Sequence, residues 1–372
     1  MSLLLLLLLG CSSDPAPTTI DPLAVLDPAP PRPPGAVEGM AIAISVPLSG
    51  PSAAIGKAAV QGARLAMPQG IELVEIDEQL GDPVPQALAD PRVVGVVAHV
   101  TAVGAQRWAQ GWLEHDLAVV LAAPATVPGL PRVLAGSTRH VRCATAFLGP
   151  GNVVVAHDGT PEANEVATEA DRALSRRSYG VRGVDPLLIA GEAERVRSLG
   201  AAWLVYAGDP GHGGNLLRAV RQLGGETRFM GLGLYDPRFV AAAGQAGEGA
   251  ILTSQDRPVL NPKVRSRWQA AYGGEPPAVA LNAYDATRLL VEAWGTATVA
   301  SKADLRGAVR GRLSQVEIEG AAGPLKLDAE GVADPSWCTA FVVADGAIAW
   351  LGAASVSGGK VELLPAADEA ER

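Results

Sequence analysis

The residue types that carry most enzyme chemistry are present in this chain of 372 residues, but they do not form catalytic or metal-binding motifs. The sequence contains no nucleophile elbow (GxSxG), no HExxH zinc motif, no CxxC pair, no Walker A loop and no GxGxxG fingerprint. The five histidines show no ligand spacing with cysteine, aspartate or glutamate; they are His99, His115, His140, His157 and His212. We therefore expect a protein that is not an enzyme and that has no metal and no cofactor.

Two further segments invite a chemical interpretation. The glycine-rich segment GDPGHGGN (208–215) follows a predicted strand and opens a helix, as a phosphate loop does, but it lacks the Lys-Ser/Thr of a P-loop. A ligand-facing loop at the carboxyl end of a strand is the better interpretation. His157 and Asp158 end another strand, yet adjacent residues on extended backbone point to opposite faces. An ordinary strand-end loop is therefore favoured over a catalytic pair.

The N-terminal segment MSLLLLLLLGCSSD places a run of leucines directly before Gly10 and Cys11, and it resembles the lipobox of bacterial lipoproteins. In those proteins the leader is cut before the cysteine, whose acylated thiol anchors the chain to a membrane. The resemblance implies a signal peptide over residues 1–10, lipidation of Cys11 and a Pro-rich linker over residues 11–39. A short buried helix is the disfavoured alternative. Ser12 matches the pattern for outer-membrane rather than inner-membrane sorting in diderm bacteria.

Composition limits the partners of the remaining chain. The formal net charge is −9, and no basic stretch could replace phosphate counterions, so we expect no nucleic-acid partner. Aromatic residues make up only 4% of the chain, which disfavours a base-stacking surface. The length after the linker exceeds one ordinary core and suggests two lobes.

From Met40 onward, short apolar runs alternate with amphipathic segments at the spacing of βαβ units. Continuous Val/Leu/Ile runs are typical of strands buried on both faces of a parallel sheet. Strands are predicted at 41–48, 71–77, 93–100, 117–123, 152–157, 187–190, 201–208, 227–233, 338–346 and 347–352. Helices are predicted at 57–67, 105–116, 162–176, 262–272, 279–295 and 302–313. The pattern predicts an α/β protein with two doubly wound, Rossmann-like lobes, followed by an acidic tail over residues 353–372.

Five segments resemble, in order, the type 1 periplasmic binding proteins of ABC transporters, specifically the leucine and branched-chain amino-acid-binding group. They are PLSGPSAAIGKAAVQGARLA (47–66), GVVAHVTAVGA (95–105), LAVVLAAPATVPGL (117–130), MGLGLYDPRFVAAAGQAGEGAILTS (230–254) and PPAVALNAYDATRLLVEA (276–293). The resemblance implies two lobes that are joined by three hinge crossovers and close on a ligand. It assigns residues 40–143 and 256–335 to the first lobe, and residues 146–254 and 338–352 to the second.

Carried over by position, the crossovers fall near residues 142–144, 253–257 and 336–339. They run side by side in this fold, which would bring Cys143 and Cys338 close together. A disulfide requires Cα atoms within roughly 7 Å, and the resemblance does not give that distance. The two cysteines are therefore either bonded or two buried free thiols.

The resemblance also implies a shell of ligand-binding positions. They are Ile55, Thr101, Ala102, Ala125, Thr126, Glu162, Asp209 and Gly233. Thr126 keeps the family's residue type, whereas Ile55 stands at an aromatic position and Gly233 at an acidic one. Glu162 and Asp209 could supply replacement acceptors and suit the second lobe to an amine or polyol. Two solvated loop carboxylates are the alternative.

Together these features imply an extracytoplasmic, lipid-anchored protein that captures a small polar, amino-acid-like ligand for an ABC permease. The alternative is an envelope lipoprotein that retains the fold but serves as a regulator or scaffold. The eroded ligand shell and the Pro-rich linker favour that alternative.

Overall fold

The computed structural model describes residues 39–256, 258, 260–297 and 304–364, and the statements below concern these residues. The predicted signal peptide, Cys11 and all but the last residue of the predicted linker lie outside them, as do residues 365–372.

The first lobe is built on a parallel sheet with the strand order β2-β1-β3-β4. The inner strands β1 and β3 are buried along their whole length, because helices cover both faces of their apolar runs. The elements are β1 (Ala41–Val46), α1 (Ala53–Ala66), β2 (Glu72–Asp77), α2 (Pro83–Ala89), β3 (Val93–Ala98), α3 (Ala102–Leu113) and β4 (Ala118–Leu121).

The second lobe repeats this arrangement and extends it. Its parallel strands follow the order β6-β5-β7-β8-β9, and antiparallel strands β13, β14 and β15 continue the sheet beyond β9. The elements are α4 (Ser137–Thr145), β5 (Val153–His157), α5 (Pro161–Ala173), β6 (Ser178–Gly183), α6 (Ile189–Ser198), β7 (Trp203–Ala207), α7 (Pro210–Gln222), β8 (Arg228–Leu232), α8 (Pro237–Ala243), β9 (Ile251–Ser254), and later β13 (Ser336–Ala344), β14 (Ala347–Ser357) and β15 (Lys360–Leu364).

Between β9 and β13 the chain returns to the first lobe. The long helix α10 packs against α1, and Gly62 permits their contact, because an added Cβ there would lie 1.9 Å from the carbonyl oxygen of Ala280. The returning elements are α9 (Pro262–Tyr272), α10 (Ala278–Thr296), α11 (Leu305–Arg312), β10 (Glu317–Gly320), β11 (Gly323–Leu327) and β12 (Ala333–Asp334). The predicted α/β class with two doubly wound lobes is confirmed.

A recurring local signal starts the helices that follow strands or loops. A polar residue accepts a backbone N–H through its side chain and is followed by proline at the first helical position, a pair that favours helix initiation. The capping residues are Asp82, Thr160, Asp209, Asp236 and Asn261.

Two predictions of secondary structure were wrong. Residues 187–190 form no strand: Pro186–Leu188 is a 3-10 turn capped by Asp185, and α6 follows it. The second strand of this lobe is β6, an edge strand that lacks an apolar run. The acidic tail does not begin at residue 353, because β14 and β15 extend the sheet to Leu364.

The family resemblance assigns α4 mostly to the first lobe, but in the structure α4 packs on the second. Val141 and Ala144 of α4 belong to the apolar cluster of β5 and α5. Leu134, shortly before α4, still belongs to the core of the first lobe. The first crossover therefore lies between Leu134 and Ser137, ahead of the predicted position.

No helix in the described ranges has the length and apolar character needed to cross a bilayer.

Candidate functional site

The topology itself marks the ligand-binding edge of each sheet. In a doubly wound sheet, ligands bind beyond the carboxyl ends of the strands, at the point where the strand order reverses. That point lies between β1 and β3 in the first lobe and between β5 and β7 in the second. The residues that follow these strands are therefore the candidates for ligand contact.

A cavity of about 400 Å³ lies at this edge of the second lobe and reaches the first lobe and the second crossover. This volume suits a small molecule. Its wall is formed by Pro124, His140, Asp158, Thr160, Glu162, Ala163, Val166, Ala207, Gly208, Leu232, Gly233, Ser254, Gln255 and Asp256. A smaller cavity of about 240 Å³ near Trp112 and Arg310 lies away from either switch point and is not the candidate site.

Asp158 directly follows β5 and organises the loops at the switch point. Its carboxylate accepts hydrogen bonds from the Thr160 backbone N–H at 3.0 Å and the Thr160 hydroxyl at 2.8 Å. A third bond, of 2.7 Å, comes from the backbone N–H of Asp209 after β7. Burial alone would raise the pKa of the Asp158 carboxyl, but these hydrogen bonds outweigh it and lower that pKa. Asp158 is therefore a fixed negative charge in the cavity wall.

Glu162 and Gly233 are the predicted site residues that the structure places in the cavity wall. Glu162 lies in the first turn of α5 and is exposed. Gly233 follows β8 with φ of +75°, a backbone conformation that favours glycine, and its N–H lies 3.4 Å from the Thr253 hydroxyl oxygen.

Asp209 has other partners. Its side chain caps α7 by accepting the His212 backbone N–H at 2.9 Å, and it pairs with Arg238 at 3.0 Å. It lies beside Asp158 through the backbone hydrogen bond but does not line the cavity.

The predicted first-lobe positions are not part of the described wall of the cavity. Thr101 is the N-cap of α3, and its hydroxyl oxygen accepts the Gly104 N–H at 3.1 Å, while Ala102 is the first helical residue. Ala125 is buried, and Thr126 and Ile55 are exposed. Pro124, one residue before the predicted Ala-Thr pair, is the first-lobe residue that reaches the cavity.

The loop that carries Thr101 is held by a buried network of hydrogen bonds among three side chains. The Trp112 indole N–H donates to His99 Nε2 at 2.8 Å, and His99 Nδ1 lies 2.6 Å from the Glu78 carboxylate. Since an indole N–H can only donate, His99 is neutral with its proton on Nδ1, which donates to Glu78. All three side chains are buried, so their hydrogen bonds fix the position of the loop.

Helix α4, which follows the first crossover, and the residues at the second and third crossovers are linked beside the cavity. The imidazole Nε2 of His140, on α4, lies 3.0 Å from the hydroxyl of Thr253 at the second crossover. The Thr339 hydroxyl donates to the Asp256 carbonyl at 2.9 Å, which joins the second and third crossovers. Arg139 donates to the Ala333 carbonyl at 3.3 Å and thereby joins α4 to the third.

Cys143 and Cys338 are joined by a disulfide in the structure, with their Cα atoms 6.0 Å apart. Cys143 is on α4 and Cys338 is on β13, so the bond joins the helix that follows the first crossover to the strand that follows the third. Both cysteines are buried in a small apolar cluster with Ala354 and Val356.

Sequence reasoning missed His140, Asp158 and Asp256 as site residues. Asp158 had a usable signal, because it follows a strand at what proves to be the switch point. His140 and Asp256 had none, since only the crossing of α4 over the second crossover brings them together. No group of histidine, cysteine and carboxylate side chains suited to a metal ion occurs in the described part of the chain.

Comparison with solved structures gives the same fold. The leucine-binding protein LivK of Thermotoga maritima has a TM-score of 0.65 and 18% identity, covering 86% of this chain and 99% of that one. A putative branched-chain amino-acid ABC transporter protein of Rhodospirillum rubrum has a TM-score of 0.67 and 20% identity, covering 84% and 99%. LivJ of Streptococcus pneumoniae, in complex with isoleucine, has a TM-score of 0.63 and 16% identity, covering 87% and 99%.

No curated protein matches the sequence significantly. The sequence model of the family described as periplasmic binding protein matches residues 142–349, more than half of the chain. The two-lobed topology, the strand-end cavity and this match agree, and the resemblance seen in the sequence is confirmed. The chain belongs to the periplasmic binding protein family, with the type 1 fold of the leucine and branched-chain amino-acid substrate-binding proteins.

Proposed function

We propose that this protein is a lipid-anchored, extracytoplasmic solute-binding protein that captures a small polar ligand between its lobes for an ABC transporter. The observation that carries the proposal is the cavity at the carboxyl ends of the strands, whose wall joins the second lobe, a crossover and Pro124 of the first lobe. A cavity that spans these parts can couple occupancy to the angle between the lobes.

The coupling is thermodynamic. A ligand shifts the lobes toward the closed state only by its differential affinity for that state. Contacts made from both lobes exist only when the lobes are closed, so they supply this difference. The crossovers form the hinge about which the lobes move, and hydrogen bonds link the second crossover to the third and to α4.

The ligand-binding function is tested by a thermal-shift screen of the purified full-length chain against amino acids, amides, polyamines, polyols and small acids. A ligand present at 100 times its dissociation constant should add about 2.7 kcal/mol to the free energy of unfolding, a shift of a few degrees. A specific hit supports a solute receptor. A flat screen on folded protein contradicts it and favours the regulator or scaffold alternative.

The lipid anchor on Cys11 is a separate part of the proposal. The change Cys11→Ser should abolish incorporation of an alkyne-labelled fatty acid, because the serine hydroxyl does not replace the thiol as the acceptor of the lipid. Density-gradient fractionation of the unmodified protein then separates an outer-membrane anchor, which Ser12 favours, from an inner-membrane one. Incorporation of the fatty acid by the Cys11→Ser protein at the level of the unmodified protein would contradict lipid anchoring at this residue.

A further inference from the structure

Carboxylates from separate elements converge on the cavity. Asp158 follows β5, Glu162 lies in the first turn of α5, and Asp256 belongs to the second crossover. A cavity of about 400 Å³ is no wider than about one Debye length in physiological salt, so these charges act together on a ligand. Glu162 has no hydrogen-bond or ion-pair partner among the described residues, and its charge is therefore available to a ligand.

Positive charge is missing from the described wall of the cavity, which contains no Lys or Arg. His140 does not supply it, because burial lowers the pKa of its imidazole to about 4 and keeps the ring neutral at physiological pH. Arg238 lies outside the wall and is held by Asp209 and Asp236, each at 3.0 Å.

Three helix N-termini at this edge, those of α3, α5 and α7, are also poor sites for an anionic group. Their free N–H groups usually attract carboxylates or phosphates. Here the Thr160 and Asp209 side chains accept N–H groups of α5 and α7, and Thr101 does so for α3. Glu162 adds a negative charge in the first turn of α5. A ligand carboxylate at these three helix N-termini would therefore meet repulsion from the acidic side chains and a capping side chain that already accepts an N–H.

We propose that the solute captured in this cavity is an organic cation, an amine or guanidinium compound, and not a carboxylate-bearing amino acid. The inference rests on the proposed solute-binding function and deepens it. The carboxylates hold the cationic head of the ligand, and the apolar surfaces of Ala163, Val166 and Leu232 contact its hydrocarbon part.

The experiment uses four compounds of equal carbon length that differ in charge: putrescine, γ-aminobutyrate, butanediol and succinate. Spermidine, agmatine and choline extend the cationic arm to other sizes. Isothermal titration of the full-length protein at low and high salt gives the dissociation constants. Putrescine or another cation should bind at least tenfold more tightly than the zwitterion, diol or dianion, and added salt should weaken it.

Glu162→Gln is the first variant, because this exposed side chain can lose its charge without losing a partner. It should weaken cation binding at least tenfold, which corresponds to about 1.4 kcal/mol. Asp256→Asn should act in the same direction. Glu226→Gln is the matched control: Glu226 is exposed and precedes β8, at the opposite edge of the sheet, so its loss should leave binding unchanged. Asp158 is unsuitable because its hydrogen bonds shape the loops.

Tighter binding of γ-aminobutyrate, butanediol or succinate than of every cation would overturn the proposal. Unchanged cation binding in both Glu162→Gln and Asp256→Asn would also overturn it. In either case the solute-binding function stands, since a ligand has been found. If no compound binds in this series or in the broad screen, the cationic assignment and the solute-binding function fail together.

Discussion

We expect the free energy of unfolding to fall in mildly acidic solution, because His140 is buried as a neutral imidazole. The imidazole is fully buried, and burial lowers its pKa from 6.5 to about 4. Gln255 Nε2 lies 3.4 Å from Nδ1, and Thr253 Oγ1 lies 3.0 Å from Nε2. Since the amide nitrogen only donates, Nδ1 accepts and Nε2 carries the proton. A second proton on Nδ1 would be buried against a donor.

The sign and size of the effect follow from linkage. The unfolded state takes up a proton near pH 6.5, whereas the native state takes it up only near pH 4. Stability therefore falls as the pH drops between these values. Between pH 7 and pH 5 the loss from this one group is about 2 kcal/mol, and it approaches about 3 kcal/mol below pH 4.

The assay is urea denaturation of the wild type and His140→Gln at pH 7 and pH 5. Gln can still donate to Thr253 but does not titrate, so its loss between the two pH values should be about 2 kcal/mol smaller. His115→Gln removes an exposed imidazole and controls for a general loss of histidine. Parallel pH profiles for the wild type and His140→Gln would refute the reasoning. If His140→Gln does not fold, an NMR titration of His140 in the wild type decides, and a pKa near 6.5 would contradict it.

Four other variants test the packing and the buried contacts of the two lobes. Gly62→Ala should lower the free energy of unfolding by about 3 kcal/mol, because its Cβ would lie 1.9 Å from a backbone oxygen of α10. Gly307→Ala should raise the free energy of unfolding by about 0.5 to 1 kcal/mol, because Gly307 is exposed on α11 and an added Cβ would meet nothing within 4 Å. Thermal unfolding compares the two glycine variants, and changes of the same sign would contradict the argument. Replacing Cys143 and Cys338 together by Ala should cost about 4 kcal/mol in denaturant under oxidising conditions and clearly less under reducing ones, where only the loss of two buried sulfur atoms remains. Trp112→Phe removes the indole N–H that donates to the buried His99 and should cost about 2 kcal/mol in urea. An unchanged urea midpoint would contradict the role of the Trp112–His99–Glu78 hydrogen bonds.

The inference of a cationic ligand separates this protein from its structural neighbours. LivJ of Streptococcus pneumoniae was solved with isoleucine, an amino acid that carries both a carboxylate and an ammonium group. At 16% identity the shared fold does not transfer that ligand, because the side chains at the strand ends decide which charges are accepted. In this chain those side chains are mainly carboxylates and small residues.

The sequence by itself determined the class of fold and most of its elements. The apolar runs of β1, β3, β5 and β7 identify inner strands, because a strand buried on both faces must be apolar throughout. The strand β6 was not predicted, because it lies at the edge of the sheet and is not buried on both faces. An edge strand of this kind does not need an apolar run. The family resemblance likewise needed only residue types in order along the chain.

The candidate site was decided by tertiary structure. Glu162 was found by position, but its companions Asp158 and Asp256 lie far apart along the chain and meet only because parallel strands end at one edge and a crossover passes beside it. The disulfide and the neutral state of His140 also depend on how α4 packs against the second lobe, which the sequence misplaced. Local patterns encode which segments are strands and helices, whereas charge and burial at a cleft depend on contacts between distant segments.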